Sequence, residues 1–295
     1  MKHILMTGLT GYLGSRLARR FVMDPTIKLS ALKRSFSDIH PIADIVDRIT
    51  CYDVDRVPPR TAFENDHVNL VIHCATNYGR HHESRSSIVD ANLVLPLTLL
   101  EASVEHGVKA FINTDTMLDK GISDYSLSKK QFNDWLQVYG TELLAVNVAL
   151  EHFFGPGDDP SKFVSCVVRE LIKGVDRIPL TPGEQCRDFV FIDDVVSAFE
   201  HVVNYVNNRD PLAKGYEAFE VGRGVSVSVK DFLLLMRDIS GNNKTKLDFG
   251  ALPYRPNEVM SVKADISKVS ALGWSPKVAL PDALQRTIDE DRKLI

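Results

Sequence analysis

The sequence predicts an α/β protein: a doubly wound parallel sheet followed by a smaller C-terminal lobe. Three observations lead there. Short apolar runs alternate with helical runs through the first half of the chain. A glycine-punctuated turn, Thr7-Gly8-Leu9-Thr10-Gly11-Tyr12-Leu13-Gly14, joins the first apolar run to the first helical one. Past Gly155-Pro156-Gly157-Asp158-Asp159-Pro160 the alternation breaks into an irregular, turn-rich pattern.

Strands are predicted at residues 4–7, 28–33, 49–53, 70–75, 108–114 and 143–149. They are short and show little polar alternation, as expected of strands covered on both faces. Helices are predicted at 11–21, 87–106 and 125–139. A β-α-β alternation of this kind builds a parallel sheet with helices on both sides. Residues 1–155 are read as one domain and 156–295 mainly as a second lobe, with some helices returning to the sheet. No long linker separates them.

Bulk properties narrow the function classes. The chain has 295 residues, 44% of them hydrophobic and 25% charged, an ordinary globular balance. A net charge of −4 provides no basic field for nucleic acid. Residues 3–8 are too short an apolar run for a secretory core, and the longest apolar stretch, 94–100, is broken by Pro96 and Thr98, so no membrane role is expected. Cys51, Cys74, Cys166 and Cys186 form no C-x-x-C pair, which suits a cytoplasmic chain with scattered buried thiols. His81 and His82 are adjacent, their side chains diverge, and no third ligand lies nearby, so no metal is expected.

The glycine turn carries the first functional signal. Gly8 allows a tight turn, Gly11 lets backbone approach a pyrophosphate, and Gly14 permits close helix–strand packing. Thr10, Tyr12 and Leu13 lie in the same turn, at a helix N-terminus that favours phosphate. This is the dinucleotide-binding turn of a Rossmann sheet. The second strand ends Ala31-Leu32-Lys33-Arg34-Ser35, where an NAD site places a carboxylate for the ribose 2′-hydroxyl. Lys33 and Arg34 suit a 2′-phosphate instead, so NADPH is expected over NAD; two solvated loop charges are the alternative. Asp53 and Val54 follow the third strand near the adenine position, and Cys74, Ala75 and Thr76 end the fourth near the pyrophosphate and nicotinamide ribose.

Tyr125-Ser126-Leu127-Ser128-Lys129 is a Y-x-x-x-K pair on one helix face. A lysine ammonium beside the phenol is expected to lower its pKa and make Tyr125 a proton donor or acceptor. Ahead of it lies Asn113-Thr114-Asp115-Thr116. A hydroxyl there could orient a reacting carbonyl oxygen, Thr114 first and Thr116 second; a self-capping Thr/Asp turn is the alternative.

As a set, Thr7 to Gly14, Tyr125 to Lys129, Phe154-Gly155-Pro156-Gly157 and Arg187 to Val195 resemble the extended short-chain dehydrogenase/reductases that act on sugar nucleotides. The likeness covers nearly the whole chain. Ala75-Thr76-Asn77-Tyr78-Gly79, Asn113-Thr114-Asp115, Glu151-His152 and Thr181 to Phe189 look more closely like the CDP-abequose and CDP-paratose synthase group. The resemblance implies NADPH-dependent reduction of a 4-keto group on a CDP-linked deoxysugar. It implies Thr114, Tyr125 and Lys129 as catalytic trio, with Tyr125 and Lys129 also meeting the cofactor. It implies Arg187 and Arg255 on the nucleotide diphosphate, Asn77, Thr116 and His152 toward the sugar nucleotide, and Asn92 as a structural or cofactor-loop residue. It also implies a homodimer joined through the helices at 87–106 and 125–139.

Two departures stand out. Sugar-nucleotide 4,6-dehydratases carry Thr-Asp-Glu where this chain has Thr114-Asp115-Thr116, so the base for dehydration is missing. The segment between Thr114 and Tyr125 is short for the family and should form a clipped loop near the sugar. A 4-ketoreductase is therefore the leading reading and an NAD(P)-dependent nucleotide-sugar epimerase the second. A non-catalytic NADP(H) sensor is third, because Tyr125 and Lys129 are both intact.

Overall fold

The computed structural model describes residues 2–256 and 258–295. Strand β1 (Lys2–Thr7) leads through the glycine turn into α1 (Tyr12–Val22), then β2 (Ile27–Lys33), β3 (Thr50–Asp53) and β4 (Leu70–His73). Helix α2 (Arg85–Glu105) precedes β5 (Ala110–Thr116), α3 (Asp124–Tyr139) and β6 (Leu144–Leu150). The second half carries β7 (His152–Phe154), α4 (Phe163–Lys173), β8 (Arg177–Leu180), β9 (Cys186–Arg187), β10 (Phe189–Phe191) and α5 (Ile192–Asn208). It continues with β11 (Gly215–Val221), β12 (Val227–Ser228), α6 (Val229–Ser240), β13 (Lys246–Phe249) and α7 (Leu280–Asp291).

The chain divides into two compact units, Met1–Ala149 with Phe199–Phe219, and Leu150–Ala198 with Glu220–Ile295. The first holds a seven-stranded sheet in the order β11-β6-β5-β4-β1-β2-β3. β1 pairs in parallel with both β2 and β4, so the winding reverses beside the glycine turn. That reversal is where a doubly wound sheet opens a crevice for a ligand. Leu5, Val71, Phe111 and Ala145 of the sheet pack with Leu99, Leu100, Phe132 and Leu136 of α2 and α3 in one core. The fold is the α/β doubly wound sheet that the strand–helix alternation predicts. The seventh strand, β11, comes from the irregular half, where no strand pattern points to it.

Three expectations are corrected. The helix predicted at 87–106 contains a π-helical turn, Asp90–Val94, just ahead of Pro96. Proline lacks the N–H of a regular turn, and the widened turn absorbs it. The same helix, Arg85–Glu105, is long and apolar enough to cross a membrane, contrary to the expectation that no run approaches that length. Its Leu99 and Leu100 lie wholly within the core. The thiols are not all buried as expected: Cys166 is exposed and Cys51 and Cys186 are half-buried, while Cys74 is half-buried as a residue with its sulfur turned inward to Thr114.

In the second unit β7 pairs in parallel with β10, and Phe154, Phe189, Phe191 and Phe232 form an aromatic core. Phe189 and Phe232 stack with centroids 3.7 Å apart. The acids of the 187–195 motif work as staples. Asp188, fully buried, accepts the backbone N–H of Arg223 at 2.7 Å and of Gly224 at 2.8 Å. Burial pushes its carboxyl up, and these donors oppose the shift. Asp194 accepts the N–H of Lys277 at 2.8 Å and Val278 at 3.1 Å.

Candidate active site

The glycine turn forms a tight cradle. Gly8 has φ +68°, and a Cβ there would lie 2.5 Å from Ala75 N, so both conformation and space demand glycine. A Cβ on Gly14 would lie 2.0 Å from the Gly8 carbonyl oxygen. Gly14 thus packs against the turn itself, where helix–strand packing was expected. A Cβ on Gly11 would meet only Gly8 O, at 3.2 Å. Gly11 caps α1 without a side-chain bond, and the first turn holds no acid among the described residues. An N-terminus in that state offers backbone donors and a positive dipole end, which fits a pyrophosphate. Thr10 and Tyr12 flank Gly11 half-buried, and Leu13 is buried.

At the end of β2, Arg34 is exposed, and its guanidinium lies over the Phe36 ring, 4.6 Å from the centroid. Asp53, at the end of the adjacent β3, reaches this loop. It accepts the Ser35 hydroxyl at 2.7 Å and lies 4.0 Å from Lys33 Nζ. The Ser35 hydroxyl above all holds the Asp53 carboxyl below its usual range. A carboxylate therefore stands beside the expected cation pair, engaged by Ser35 and Lys33. Val54 donates its N–H to Lys33 O at 2.9 Å, which ties the two strand ends together.

The loop after β4 is pinned from two sides. Thr7 Oγ1 accepts Ala75 N–H at 3.1 Å and lies 2.8 Å from His73 Nδ1. Asn92, in the π-helical turn, accepts Asn77 N–H at 2.7 Å and the Thr76 hydroxyl at 3.2 Å. Its amide donates to Asn77 O at 2.8 Å and Ser128 Oγ at 3.0 Å. All the polar atoms of Asn92 are thereby spent on joining this loop to α3. The Asn77 side chain is also turned inward, accepting Gly79 N–H at 3.0 Å and donating to Ser87 Oγ at 3.3 Å.

Helix α3 starts with a capping box between Ser123 and Ser126, which sets the register of Tyr125 and Lys129 one turn apart. The Tyr125 ring packs on Tyr78 with centroids 4.9 Å apart, and its hydroxyl lies toward Thr116. Thr114 instead points its hydroxyl at Cys74 Sγ, 3.3 Å away. Burial raises the Cys74 thiol to about 11. Burial also drives the Tyr125 phenol well above its usual value, with Tyr78 and Asp115 adding to the shift. That reverses the expectation of a phenol lowered by Lys129. The same desolvation pushes buried Lys129 down to about 8, against the pull of Asp115 and Cys74. The Lys129 ammonium meets Asn113 Oδ1, at 3.5 Å.

In the second unit His152 Nδ1 lies 2.9 Å from Glu151 Oε2. Arg187 forms an ion pair with Glu258 and donates to Cys186 O at 2.8 Å. Arg255 is exposed, and its carbonyl accepts Glu258 N–H at 3.1 Å. Sequence reasoning missed Glu151 and Glu258 as partners, and it missed Asn147 and Lys130 around Asp115. The adjacency of Glu151 to His152 was a hint in the sequence, whereas Arg187 and Glu258 lie 71 residues apart. Among the described residues no group of three His, Cys, Asp or Glu side chains is arranged to hold a metal.

The profile of the NAD dependent epimerase/dehydratase family matches residues 4–222. A CDP-abequose synthase of Salmonella typhimurium is 34% identical over 215 residues, 70% of this chain and 71% of the relative. One of Salmonella muenchen is 27% identical over 296 residues, 97% of each chain. In fold, the chain is similar to the UDP-glucose 4-epimerase of Thermotoga maritima, with a TM-score of 0.84, 23% identity and 99% of each chain covered. The strand order, the glycine cradle and the Tyr125–Lys129 helix turn agree with that match, and the chain belongs to the NAD dependent epimerase/dehydratase family.

Proposed function

We propose that the chain is an NADPH-dependent reductase of the 4-keto group of a nucleotide-linked deoxysugar, with CDP as the nucleotide. The carrying observation is the setting of Tyr125: a half-buried phenol packed on Tyr78, one helical turn from buried Lys129 on α3. A proton donor is what ketone reduction needs. The relatives named CDP-abequose synthase support the CDP and deoxysugar assignments. Lys33 and Arg34 at the end of β2 support NADPH.

In this reading residues 1–155 bind the cofactor and 156–295 mainly the sugar nucleotide. Gly8, Thr10, Gly11, Tyr12 and Leu13 hold the pyrophosphate, and Lys33 and Arg34 the 2′-phosphate. Asp53 and Val54 border the adenine, and Cys74, Ala75, Thr76 and Asn92 form the wall toward the nicotinamide. Hydride for the ketone carbon would come from the nicotinamide cofactor when it is bound. Thr114, once its hydroxyl turns from Cys74, would hydrogen-bond the ketone oxygen, and Tyr125 would give it a proton. The Lys129 ammonium binds the nicotinamide ribose and offsets the phenolate left behind. Thr116, His152, Arg187 and Arg255 would hold the substrate, the two arginines at its diphosphate, while Asn77 serves by shaping its loop through Gly79 and Ser87. Dehydration is disfavoured because Thr116 stands where a base is needed. The carboxylate of Asp115 is also taken, by Lys130 and Asn147, each at 3.0 Å.

The test is an absorbance assay of NADPH consumption with a panel of nucleotide-linked 4-keto-deoxysugars, CDP first. Stoichiometric NADPH loss is expected. Conversion of a non-keto sugar nucleotide without NADPH loss would overturn the reading in favour of an epimerase. Tyr125→Phe is expected to bind NADPH normally and to lose turnover by roughly a hundredfold or more.

A further inference from the structure

The face of β5 turned toward α3 carries Phe111, Asn113 and Asp115; Phe111 meets Phe132, Asn113 meets Lys129, and Asp115 meets Lys130. On the neighbouring strand β6, Asn147 completes a buried polar row. Asn113 Nδ2 donates to Asn147 Oδ1 at 2.8 Å, and Asn147 Nδ2 donates to Asp115 Oδ2 at 3.0 Å. All three side chains are buried. Asp115 also accepts Thr116 N–H at 2.7 Å and the Lys130 ammonium at 3.0 Å.

An ionised carboxylate only accepts hydrogen bonds, whereas an amide donates at one end and accepts at the other. The carboxylate end of the row therefore decides the rest. Asn147 must turn its NH2 to Asp115, which leaves its oxygen for Asn113. Asn113 must then turn its NH2 to Asn147, which leaves its oxygen facing Lys129. Reversing either amide would set donor against donor and strand a buried polar group.

We infer that Asp115, anchored by Lys130, orients the Asn147–Asn113 amide pair so that its carbonyl end holds the Lys129 ammonium in place. Asn113, Asp115, Lys130 and Asn147 are then positioning residues for the reaction, an inference that rests on the role proposed above for Lys129. The charged or titratable groups around Lys129 are Asp115 on β5, Cys74 and His73 at the end of β4, and Tyr125 and Lys130 on its own helix. Asp115 and Cys74 favour the ammonium, and burial and Lys130 oppose it.

The experiment is a 15N NMR titration of Lys129 Nζ in the cofactor-free chain, with the signal assigned by its loss in Lys129→Arg. Asn147→Leu releases the Asn113 amide, and the Lys129 midpoint should fall by about half to one pH unit. Asn147→Ser empties the same position with less bulk and should act in the same direction if the leucine variant does not fold. Asn147 reaches Lys129 only through Asn113, so a fall in the Asn147 variants bears the inference out. An unmoved or raised midpoint in folded Asn147 variants would overturn it. The midpoint is read without turnover. A fall that leaves the pH limit of NADPH oxidation unchanged would sustain the amide row and remove Lys129 from the proposed chemistry.

Discussion

His73 Nδ1 lies 2.8 Å from Thr7 Oγ1, and this bond joins the ends of β1 and β4 beneath the glycine turn. The ring is fully buried between Phe111 and Phe132. Burial above all, with Lys129 adding to it, holds its pKa well below 6.5. The folded chain keeps His73 neutral, whereas the unfolded chain protonates it below about pH 6.5. The unfolded state thus binds more protons, and stability is lost as pH falls from there toward the folded pKa. The loss is up to about 1.4 kcal/mol per pH unit for one such group. Thermal unfolding followed against pH should show this slope. His73→Asn should melt lower at neutral pH but with a shallower decline below pH 6.5. An unchanged slope would mean that His73 is not the group that titrates.

Gly14 and Gly11 belong to one motif but should fail differently. An alanine methyl at Gly14 collides with the Gly8 backbone at 2.0 Å, so the turn must move. Gly14→Ala should lose about 1–3 kcal/mol of stability, the usual result of overpacking. The Gly11 methyl would meet little protein besides Gly8 O and would enter the space proposed above for a phosphate. Gly11→Ala should therefore melt close to the parent chain and bind NADPH more weakly. Calorimetry with cofactor titration separates the two, and equal melting temperatures for both variants would contradict the packing geometry.

Arg34 is held over the Phe36 ring, at the strand end where the 2′-phosphate is proposed to lie. A charge-assisted bond to phosphate is worth about 1.5–3 kcal/mol, or roughly ten- to a hundredfold in affinity. Arg34→Ala should weaken NADPH by that factor and NADH far less, read by fluorescence titration of each cofactor. Equal losses would return the nearby Asp53 to the role of ribose partner. Such a result would make this an NAD site.

The sheet and the Tyr125–Lys129 pair were legible in the sequence because both are local. Strand burial leaves continuous apolar runs, and a helix repeats its face every four residues. What stayed hidden depends on which strands become neighbours. Asp53 reaches Ser35 only because β3 lies beside β2, and Asn147 reaches Asn113 only because β6 lies beside β5. The direction of the Tyr125 shift was hidden for a related reason. Spacing says that a lysine is near, but only the fold says that both groups are desolvated and that the lysine turns to Asn113.

The outer face of α3 motivates the last prediction. Leu127, Trp135 and Val138 are 41%, 47% and 58% exposed along that helix, and Val94 on neighbouring α2 is 49% exposed. Single exposed apolar residues are ordinary, but a tryptophan within an apolar stripe on a long helix suits a protein interface. The family resemblance implies pairing of two such helices from each of two copies. Trp135→Glu would place a charge at the centre of that contact. Loss of a central aromatic anchor typically costs at least about 2 kcal/mol, roughly thirtyfold in the dissociation constant. Sedimentation across a micromolar range should therefore find a dimer for the parent chain and a monomer for the variant. At concentrations where both are monomeric the two should melt alike, because Trp135 lies outside the core. A parent chain that sediments as a monomer throughout would leave this stripe without the proposed partner.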